Sequence, residues 1–397
     1  MRASAKSWLS GVAVVLVGLS LVGGAAAQGS PHYLVTNDDL PQPRLPINTS
    51  TVSFYSIGAL GQLNLQSAVQ TGNFGIGGGY FGLNRLAVLN DGANQCVFAS
   101  DAGNGDIAQI SVSSLAVTGN AMGSENDTGA SNGIGLAMNG RYLYAGYTDL
   151  STIGTFQIQP GCGLSFVNDI SVLGLQGGFI DAMAAHGNML IVTYGDGSIE
   201  SFNISGGTPV SNGDKQNSTA AINMAGASFP SGIDITEDGH FAIFGDTSTA
   251  MVIEVSDISS GKLTKTAVYQ SAASISSSNI MLSPDQTVLY ISNTQGDRVS
   301  AAFFDKHTGK VTPGCTSNFL KGYSSLWSYA GGLALASNSG TGGGVYVAEF
   351  GAPGTIGMVQ VSFSGGKCSM KEWGRSPKVD LNSSGLLSIG TFPPRSF

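Results

Sequence analysis

Four polar side chains stand out because each lies where a short apolar segment begins. Arg85, Asp181, Asp234 and Asn279 precede or open the runs RLAVLN, IDAMAAH, GIDITED and NIMLSP. A guanidinium can hold a carboxylate or phosphate through two parallel hydrogen bonds. A carboxylate whose pKa is raised by burial can act as a general base. We therefore predict catalytic roles for Arg85, Asp181 and Asp234, and a ligand-binding role for Asn279.

The same four side chains also have a structural interpretation, which the pattern favours over chemistry. Three of the four apolar segments consist otherwise of small and apolar residues. Polar groups buried among such residues are mostly hydrogen-bonded parts of the framework. On this interpretation the four groups connect neighbouring elements and contact no substrate.

Two aromatic residues, Trp327 and Tyr329, precede another segment of small apolar residues, GGLALAS at 331–337. Their rings could stack on a sugar or peptide, so we predict that they bind a ligand. The alternative is packing between neighbouring elements, where an aromatic ring buries a large apolar area.

The sequence lacks the motifs that are typical of metal and nucleotide sites. The sequence has no GxxxxGK[ST] phosphate loop, no CxxC and no His-rich spacing. Aspartates in turns usually bond their own backbone, and DAGNGD at 101–106 lacks the glutamate of an EF-hand loop. We expect no cofactor and no metal. The net charge of −8 and the pI near 4.9 also argue against a nucleic-acid partner.

The elements that must position these residues form one unit repeated about seven times. Its clearest copy, at 283–313, reads SPDQTVLYISNTQGDRVSAAFFDKHTGKVTP. An apolar strand (288–292), a polar turn, a second strand (298–304) and a Thr-Gly-Lys hairpin lead to a third strand from Val311. The same order begins at His240 and at Arg141. Corresponding points recur roughly every 50 residues, close to the length of a four-stranded propeller blade.

This repeat predicts an all-β fold, a seven-bladed β-propeller of four-stranded antiparallel blades. Each blade begins with a small-residue innermost strand, such as 85–90 or 180–186. HYLVTN (32–37) lacks an innermost strand, and GLLSIGTF (385–392) resembles one, so pairing of the N- and C-terminal strands would close the ring. A six- or eight-bladed ring is the structural alternative. We call the end of the ring where the chain enters the innermost strands, near Arg85, Asp181 and Asp234, the channel-mouth face.

The first 27 residues have the pattern of a signal peptide. Arg2 and Lys6 precede an apolar run at 9–22, and Ala25 to Ala27 form a small-residue cleavage site. We predict a signal peptide at 1–27, a single propeller domain at 28–397 and a secreted or periplasmic location. No later apolar run is long enough to cross a membrane, and we expect a monomer.

Four cysteines in an exported chain suggest two disulfides, for which three pairings exist. Cys96 and Cys162 fall near turns on the same face of neighbouring repeat units. Cys315 and Cys368 each follow a Gly-Lys hairpin in the last two units. The repeat therefore favours Cys96–Cys162 and Cys315–Cys368, with free buried cysteines as the alternative.

The run LYISNTQGDRVSAAFFDKHTGKVT, preceded by SPDQ, resembles the YVTN-type repeat of the lactonase-like seven-bladed propellers. That family includes bacterial 6-phosphogluconolactonases and 3-carboxymuconate lactonising enzymes. The resemblance is clearest at 283–312 and at 232–264, and it implies the propeller fold. Family enzymes carry a Pro-Arg-His type segment before an innermost strand, whereas the matching segments here read FPSGIDI, SSSNIML and SNGIGLA. The catalytic set implied by the family is therefore not carried over.

Two functions follow from these observations. The first is an exported scaffold that binds a small molecule or a protein at its central-channel face without catalysis. The alternative is a hydrolase or lactonising isomerase acting on a carboxylated or phosphorylated sugar-type lactone, with Arg85, Asp181 and Asp234 as its acting groups. Because fold does not determine function, the missing family histidine favours the first.

Overall fold

The structure is a computed structural model in which the chain divides into two units. Met1–Pro31 lies outside the described residues, and His32–Phe397 contains every described strand. The described residues are 32–39, 49–58, 61–76, 84–123, 133–218, 230–247, 251–270, 277–293, 298–318, 320, 329–335, 344–350, 355–364, 367–375, 388–392 and 394.

Seven separate antiparallel sheets make up the ring, and each is one blade of the predicted propeller. From the innermost strand outwards the blades are: blade 1, β29 (Ser388–Phe392), β1 (Tyr33–Asn37), β2 (Thr51–Ile57) and β3 (Leu63–Gln70); blade 2, β4 (Leu86–Asn90), β5 (Gln95–Asp101), β6 (Asp106–Ser111) and β7 (Ala116–Met122); blade 3, β8 (Ile134–Asn139), β9 (Tyr142–Tyr147), β10 (Thr152–Ile158) and β11 (Leu164–Ser171); blade 4, β12 (Ile180–His186), β13 (Met189–Tyr194), β14 (Ser198–Asn203), β15 (Val210–Ser211) and β16 (Gln216–Asn217); blade 5, β17 (Pro230–Ile235), β18 (Phe241–Thr247), β19 (Met251–Asp257) and β20 (Thr264–Gln270); blade 6, β21 (Ser277–Leu282), β22 (Val288–Asn293), β23 (Arg298–Asp305) and β24 (Lys310–Thr316); blade 7, β25 (Tyr329–Leu335), β26 (Gly344–Phe350), β27 (Thr355–Ser364) and β28 (Lys367–Arg375).

The repeat copy at 283–313 becomes most of blade 6, as predicted. Turn glycines allow the chain to reverse between the strands, because they adopt positive φ at no steric cost. Gly309 of the Thr-Gly-Lys hairpin has φ 68°. A Cβ there would also lie 3.0 Å from the ring of Phe241 in blade 5. The hairpin glycine is therefore required twice, for the turn and for the close approach of the next blade.

The two ends of the described chain share blade 1, which confirms the predicted closure. β1 lies between β2 and β29, and Leu34 is opposite Thr391 in the pairing of β1 with β29. The innermost strands contact one another in circular order, from β4 through β8, β12, β17, β21 and β25 to β29 and back to β4. Blade 1 therefore cannot form until both ends of the chain are in place.

The described core consists of seven apolar layers, one between each pair of neighbouring blades. Between blades 5 and 6, for example, Ile243 and Ile253 pack against Leu289 and Ile291. Alternating strand residues point to opposite faces of a sheet, so each blade directs one set of side chains towards each of its two neighbouring blades. Burial of apolar area in these layers is the main source of stability.

Two disulfides each join neighbouring blades, with the pairing that the repeat favours. Cys96 on β5 bonds Cys162, which lies in a short 3-10 turn (Pro160–Cys162) between β10 and β11. Cys315 on β24 bonds Cys368 on β28. The Cα–Cα distances are 5.5 and 5.3 Å. One disulfide therefore links blade 2 to blade 3, and the other links blade 6 to blade 7.

Blade 4 departs from the common pattern in its outer strand. Two short pieces, β15 and β16, both pair with β14, where other blades have one long outer strand. Between the pieces, Asp214 accepts hydrogen bonds from the backbone N–H and the hydroxyl of Ser201, at 3.0 and 2.6 Å.

In the described part of the chain, no helix has the length and hydropathy needed to cross a membrane.

Candidate functional site

Arg85, the residue before β4, is fixed on all sides at the boundary of blades 1 and 2. Its guanidinium pairs with the carboxylate of Asp39, and both side chains are 1% exposed. Its backbone N–H donates to the Ser388 hydroxyl at 2.9 Å. The amide of Asn37 donates to the backbone oxygens of Arg85 and Ser100, at 3.2 and 2.9 Å. The guanidinium is therefore part of a buried contact between two blades.

Three buried aspartates follow one another at this boundary: Asp39 pairs with Arg85, and Asp101 lies close enough to Asp39 and Asp106 to feel their charges. Burial raises the pKa of Asp39, and Arg85 only partly opposes that effect. Burial raises the pKa of Asp101 to about 8, and the nearby carboxyls of Asp39 and Asp106 add to the shift, while the Thr71 hydroxyl opposes it. Burial also raises the pKa of Asp106 to about 6. At neutral pH this cluster therefore holds at least one carboxyl proton, on Asp101.

The carboxyl groups of Asp101 and Asp106 differ in their hydrogen bonds. Neither carboxyl oxygen of Asp101 has a hydrogen-bond partner in standard geometry among the described residues. One oxygen of Asp106 accepts from the Asn73 amide at 2.6 Å, and the other has no such partner. Burial outweighs the opposing Thr71 hydroxyl at Asp101 and therefore favours the protonated carboxyl.

Asp181, the second residue of β12, lies at a different blade boundary. Its side chain is fully buried, and neither of its oxygens has a hydrogen-bond partner within the described ranges. Burial raises its pKa well above the usual value, and the carboxyl of Asp246 at the end of β18 raises it further. Burial and the neighbouring Asp246 therefore both favour the protonated form of Asp181.

Asp234, on β17, links its blade to the next one. One carboxyl oxygen accepts from the backbone N–H of Leu282 on β21 at 2.7 Å, and the other accepts from Ile235 at 2.9 Å. Two backbone N–H groups thus bind its carboxylate. Asp234 therefore connects blade 5 to blade 6, which is the role that the structural interpretation of the sequence gives to this side chain.

The ligand-binding predictions concern Asn279, Trp327 and Tyr329. The backbone N–H of Asn279 donates to the Ser292 hydroxyl at 3.0 Å, at an irregular position of β21. Tyr329 begins β25 and lies opposite Phe350 in the pairing with β26. Trp327 lies outside the described residues. The roles of these three residues remain predictions.

Arg85, Asp181 and Asp234 each have a different neighbour at a different blade boundary. Arg85 is bound at blades 1 and 2, Asp181 faces Asp246, and Asp234 bonds Leu282. Within the described ranges no group of three or more His, Cys, Asp or Glu side chains could hold a metal ion. What the geometry brings together is a different set, in which Arg85 is joined by Asp39, Asp101 and Asp106.

Sequence analysis missed Asp39 and treated Asp101 and Asp106 as turn residues. Asp39 follows β1 at the start of the proline-rich segment 37–50, which reads as a loop. Asp101 ends β5 and Asp106 begins β6, so one tight turn brings them together. The register of the repeat places Asp101 and Asp106 at the channel-mouth end of their strands, and this shared position could have predicted that they lie close together.

Known structures with this architecture include sugar-lactone enzymes. A candidate 6-phosphogluconolactonase from Bacteroides fragilis superposes with a TM-score of 0.67 at 14% identity, covering 92% of this chain and 99% of that one. A candidate 6-phosphogluconolactonase from Bacteroides uniformis gives 0.54 at 13%, over 71% and 83%. The periplasmic gluconolactonase of Pseudomonas aeruginosa gives 0.54 at 16%, over 72% and 82%.

The resemblance to lactonase-like seven-bladed propellers is thereby confirmed for the fold. At these identities a likeness in structure establishes architecture alone. No protein-family model matches the chain, and no curated protein matches it.

Proposed function

We propose that the chain is an exported, monomeric propeller that binds a small molecule or a protein at its channel-mouth face and performs no catalysis. The observation that carries this proposal is the separate engagement of the three candidate acting groups. Arg85 bonds Asp39, Asp181 faces Asp246, and Asp234 bonds the backbone of Leu282. Arg85 and Asp234 are committed to contacts between blades, whereas catalysis needs its groups available to one substrate and in mutual reach.

Export is supported by three independent features. The sequence begins with a signal-like segment, two disulfides join neighbouring blades, and a periplasmic gluconolactonase shares the architecture. Disulfides persist in oxidising compartments outside the cytosol. The acidic net charge supports a partner other than nucleic acid.

A second candidate function is lactone hydrolysis or isomerisation, favoured by one specific observation. The pKa of Asp101 is raised to about 8 beside the Arg85–Asp39 pair. A carboxyl that keeps its proton at neutral pH is suited to general acid catalysis. In this candidate Asp101 donates the proton and Arg85 orients a carboxylate or phosphate of the lactone.

Turnover of a lactone panel distinguishes the two candidates. The purified chain without residues 1–27 is assayed with sugar-type and carboxylated lactones, beside Arg85→Ala and Asp101→Asn. Circular dichroism monitors folding, because Arg85→Ala removes a buried ion pair. We expect no turnover above the uncatalysed rate from the folded parent chain. Turnover by the parent would overturn the proposal, and its loss in folded Asp101→Asn would establish the second candidate.

A further inference from the structure

A polar cleft of about 830 Å³ lies on the face opposite the channel mouth, between blades 4 and 5. Three turns line it: the turn from β12 to β13, the turn from β17 to β18, and the hairpin from β19 to β20. Met189 and Ile258 are buried lining residues. Its size lies within the range of small-molecule sites. We call it the blade 4–5 cleft.

The two blades meet in this cleft at His186 and Gly239. A Cβ on Gly239 would lie 3.1 Å from Cδ2 and 3.5 Å from Nε2 of His186, so the imidazole packs directly against the glycine. His240 stacks on Phe241, with ring centroids 4.3 Å apart, and its Nε2 lies 3.3 Å from an oxygen of Asp257. The position of each imidazole is therefore set by contacts of the turns themselves.

Donors outnumber available acceptors in the cleft. Lys262 and His186 make no side-chain hydrogen bond or ion pair with any described residue, and the amides of Asn188 and Asn203 also line the cleft. Asp238 is the one acid among the described residues that line the cleft, and one of its two oxygens is already engaged. One oxygen of Asp238 accepts from Thr236 and from the backbone of His240, at 2.7 and 2.9 Å.

Asp257, the partner of His240, is not a lining residue, and it too is engaged. One of its oxygens accepts from the backbone and the hydroxyl of Ser259, at 2.8 and 2.6 Å, and the other faces His240. A lining with the ammonium of Lys262 and with imidazole and amide donors is suited to an acceptor-rich ligand that carries negative charge.

We propose that the blade 4–5 cleft binds a small organic oxyanion, a carboxylate or phosphate compound held by Lys262 and His186 with amide donors from Asn188 and Asn203. This site is separate from the channel-mouth face, and the lactone assay does not bear on it. Either proposal can therefore fail while the other stands.

The repeat supplies a matched control for the test. Lys262 follows the hairpin Ser-Ser-Gly in blade 5, and Lys310 follows His-Thr-Gly at the same hairpin position in blade 6. Both lysines are exposed. Lys262→Glu and Lys310→Glu therefore change the net charge of the protein equally, but only the first changes the cleft.

Citrate and inorganic phosphate serve as the carboxylate and phosphate probes, and binding is measured by isothermal titration calorimetry and by histidine ring proton shifts in NMR. We expect at least one probe to bind, with Lys262→Glu weakening it about tenfold or more, because a charge-assisted hydrogen bond contributes about 1.5–3 kcal/mol. Lys310→Glu should stay within about twofold of the parent, since its charge lies outside the cleft. His186→Gln should also weaken binding while the melting temperature is kept.

Two results would overturn the proposal. One is the absence of heat and of shifts with both probes up to about 10 mM, which is weaker than a useful small-anion site. The other is an equal loss of affinity in Lys262→Glu and Lys310→Glu, which would mean that net charge, and not the cleft, attracts the anion. Preference for one probe identifies the chemical source of the oxyanion.

Discussion

The boundary between blades 1 and 2 and the boundary between blades 4 and 5 both bury acids, but with different counter-charges. Asp101 ends the second strand of blade 2, and its neighbour Asp39 pairs with Arg85. Asp181 lies in the innermost strand of blade 4 near Asp246, and it has no cationic partner among the described residues. The buried guanidinium of Arg85 is therefore the feature that distinguishes the first boundary.

The difference matters because burial acts on both sites in the same direction. It raises the pKa of Asp39 even beside Arg85, and it raises that of Asp181 well above the usual value. Removing one partner of a buried ion pair leaves the other charge uncompensated. A site without a cation can instead hold its proton and stay neutral. The two boundaries should therefore respond differently to mutation and to pH.

Arg85→Met should have the largest effect. It keeps apolar volume but leaves Asp39 buried near Asp101 and Asp106, so we expect a loss of about 3–5 kcal/mol in the free energy of unfolding at neutral pH. Urea unfolding measures it. Arg85→Met with Asp39→Asn should recover part of the loss, since the uncompensated charge is gone. A cost below about 1 kcal/mol for the single variant would show that the pair is not coupled to folding.

Asp101→Asn tests the pH dependence at the first boundary. The folded-state pKa of about 8 lies above the usual carboxyl value of 3.8, so the folded protein keeps a proton that the unfolded chain releases between these values. The contribution of this proton to the free energy of unfolding is fully present below about pH 4 and falls as the pH rises towards 8. Relative to the parent, Asp101→Asn should therefore gain on the order of 3 kcal/mol between about pH 5 and pH 8. Parallel pH profiles would contradict the prediction.

Asp181→Asn applies the same test where no cation is in contact. Its folded-state pKa is also raised, so the sign is the same, and stability falls as the pH rises above the usual carboxyl value. We therefore expect Asp181→Asn to gain stability relative to the parent as the pH rises from about 4 to about 8. Chemical unfolding at both pH values measures it, and a loss of stability at pH 8 would mean that Asp181 is ionised in the fold.

Asp234→Asn should have the smallest effect. Its amide keeps one acceptor oxygen but loses the charge that strengthens the bonds to Leu282 and Ile235. We expect a loss of about 1 kcal/mol in the free energy of unfolding. Thermal melting at neutral pH checks it. A loss near that of Arg85→Met would indicate a larger role at the boundary of blades 5 and 6.

The repeat made the fold predictable from particular residues. The copy at 283–313 gave β22, β23 and the start of β24 within a residue or two, and the small-residue segments at 85–90 and 180–186 became β4 and β12. Cys96 and Cys315 found the partners that the register favours. These features are local, because they depend on period-2 alternation and turn residues within each unit.

Only part of the candidate site could be predicted from local sequence patterns. Arg85 could be singled out because a charged residue before a small apolar strand is unusual. Its partner Asp39 lies 46 positions earlier, at the start of a segment whose prolines indicate a loop. No local pattern connects the two residues, because blade closure brings β1 beside the last strand and next to blade 2.

The amino-acid sequence by itself predicted the blade unit and the closure of the ring, and it favoured the seven blades and the cysteine pairing that the structure has, since each follows from short-range periodicity and the register of the repeat. Only the tertiary structure decided which acids received a counter-charge and which kept a proton. Charge compensation depends on burial and on distances between blades that are remote in sequence, and these exist only once the ring has closed.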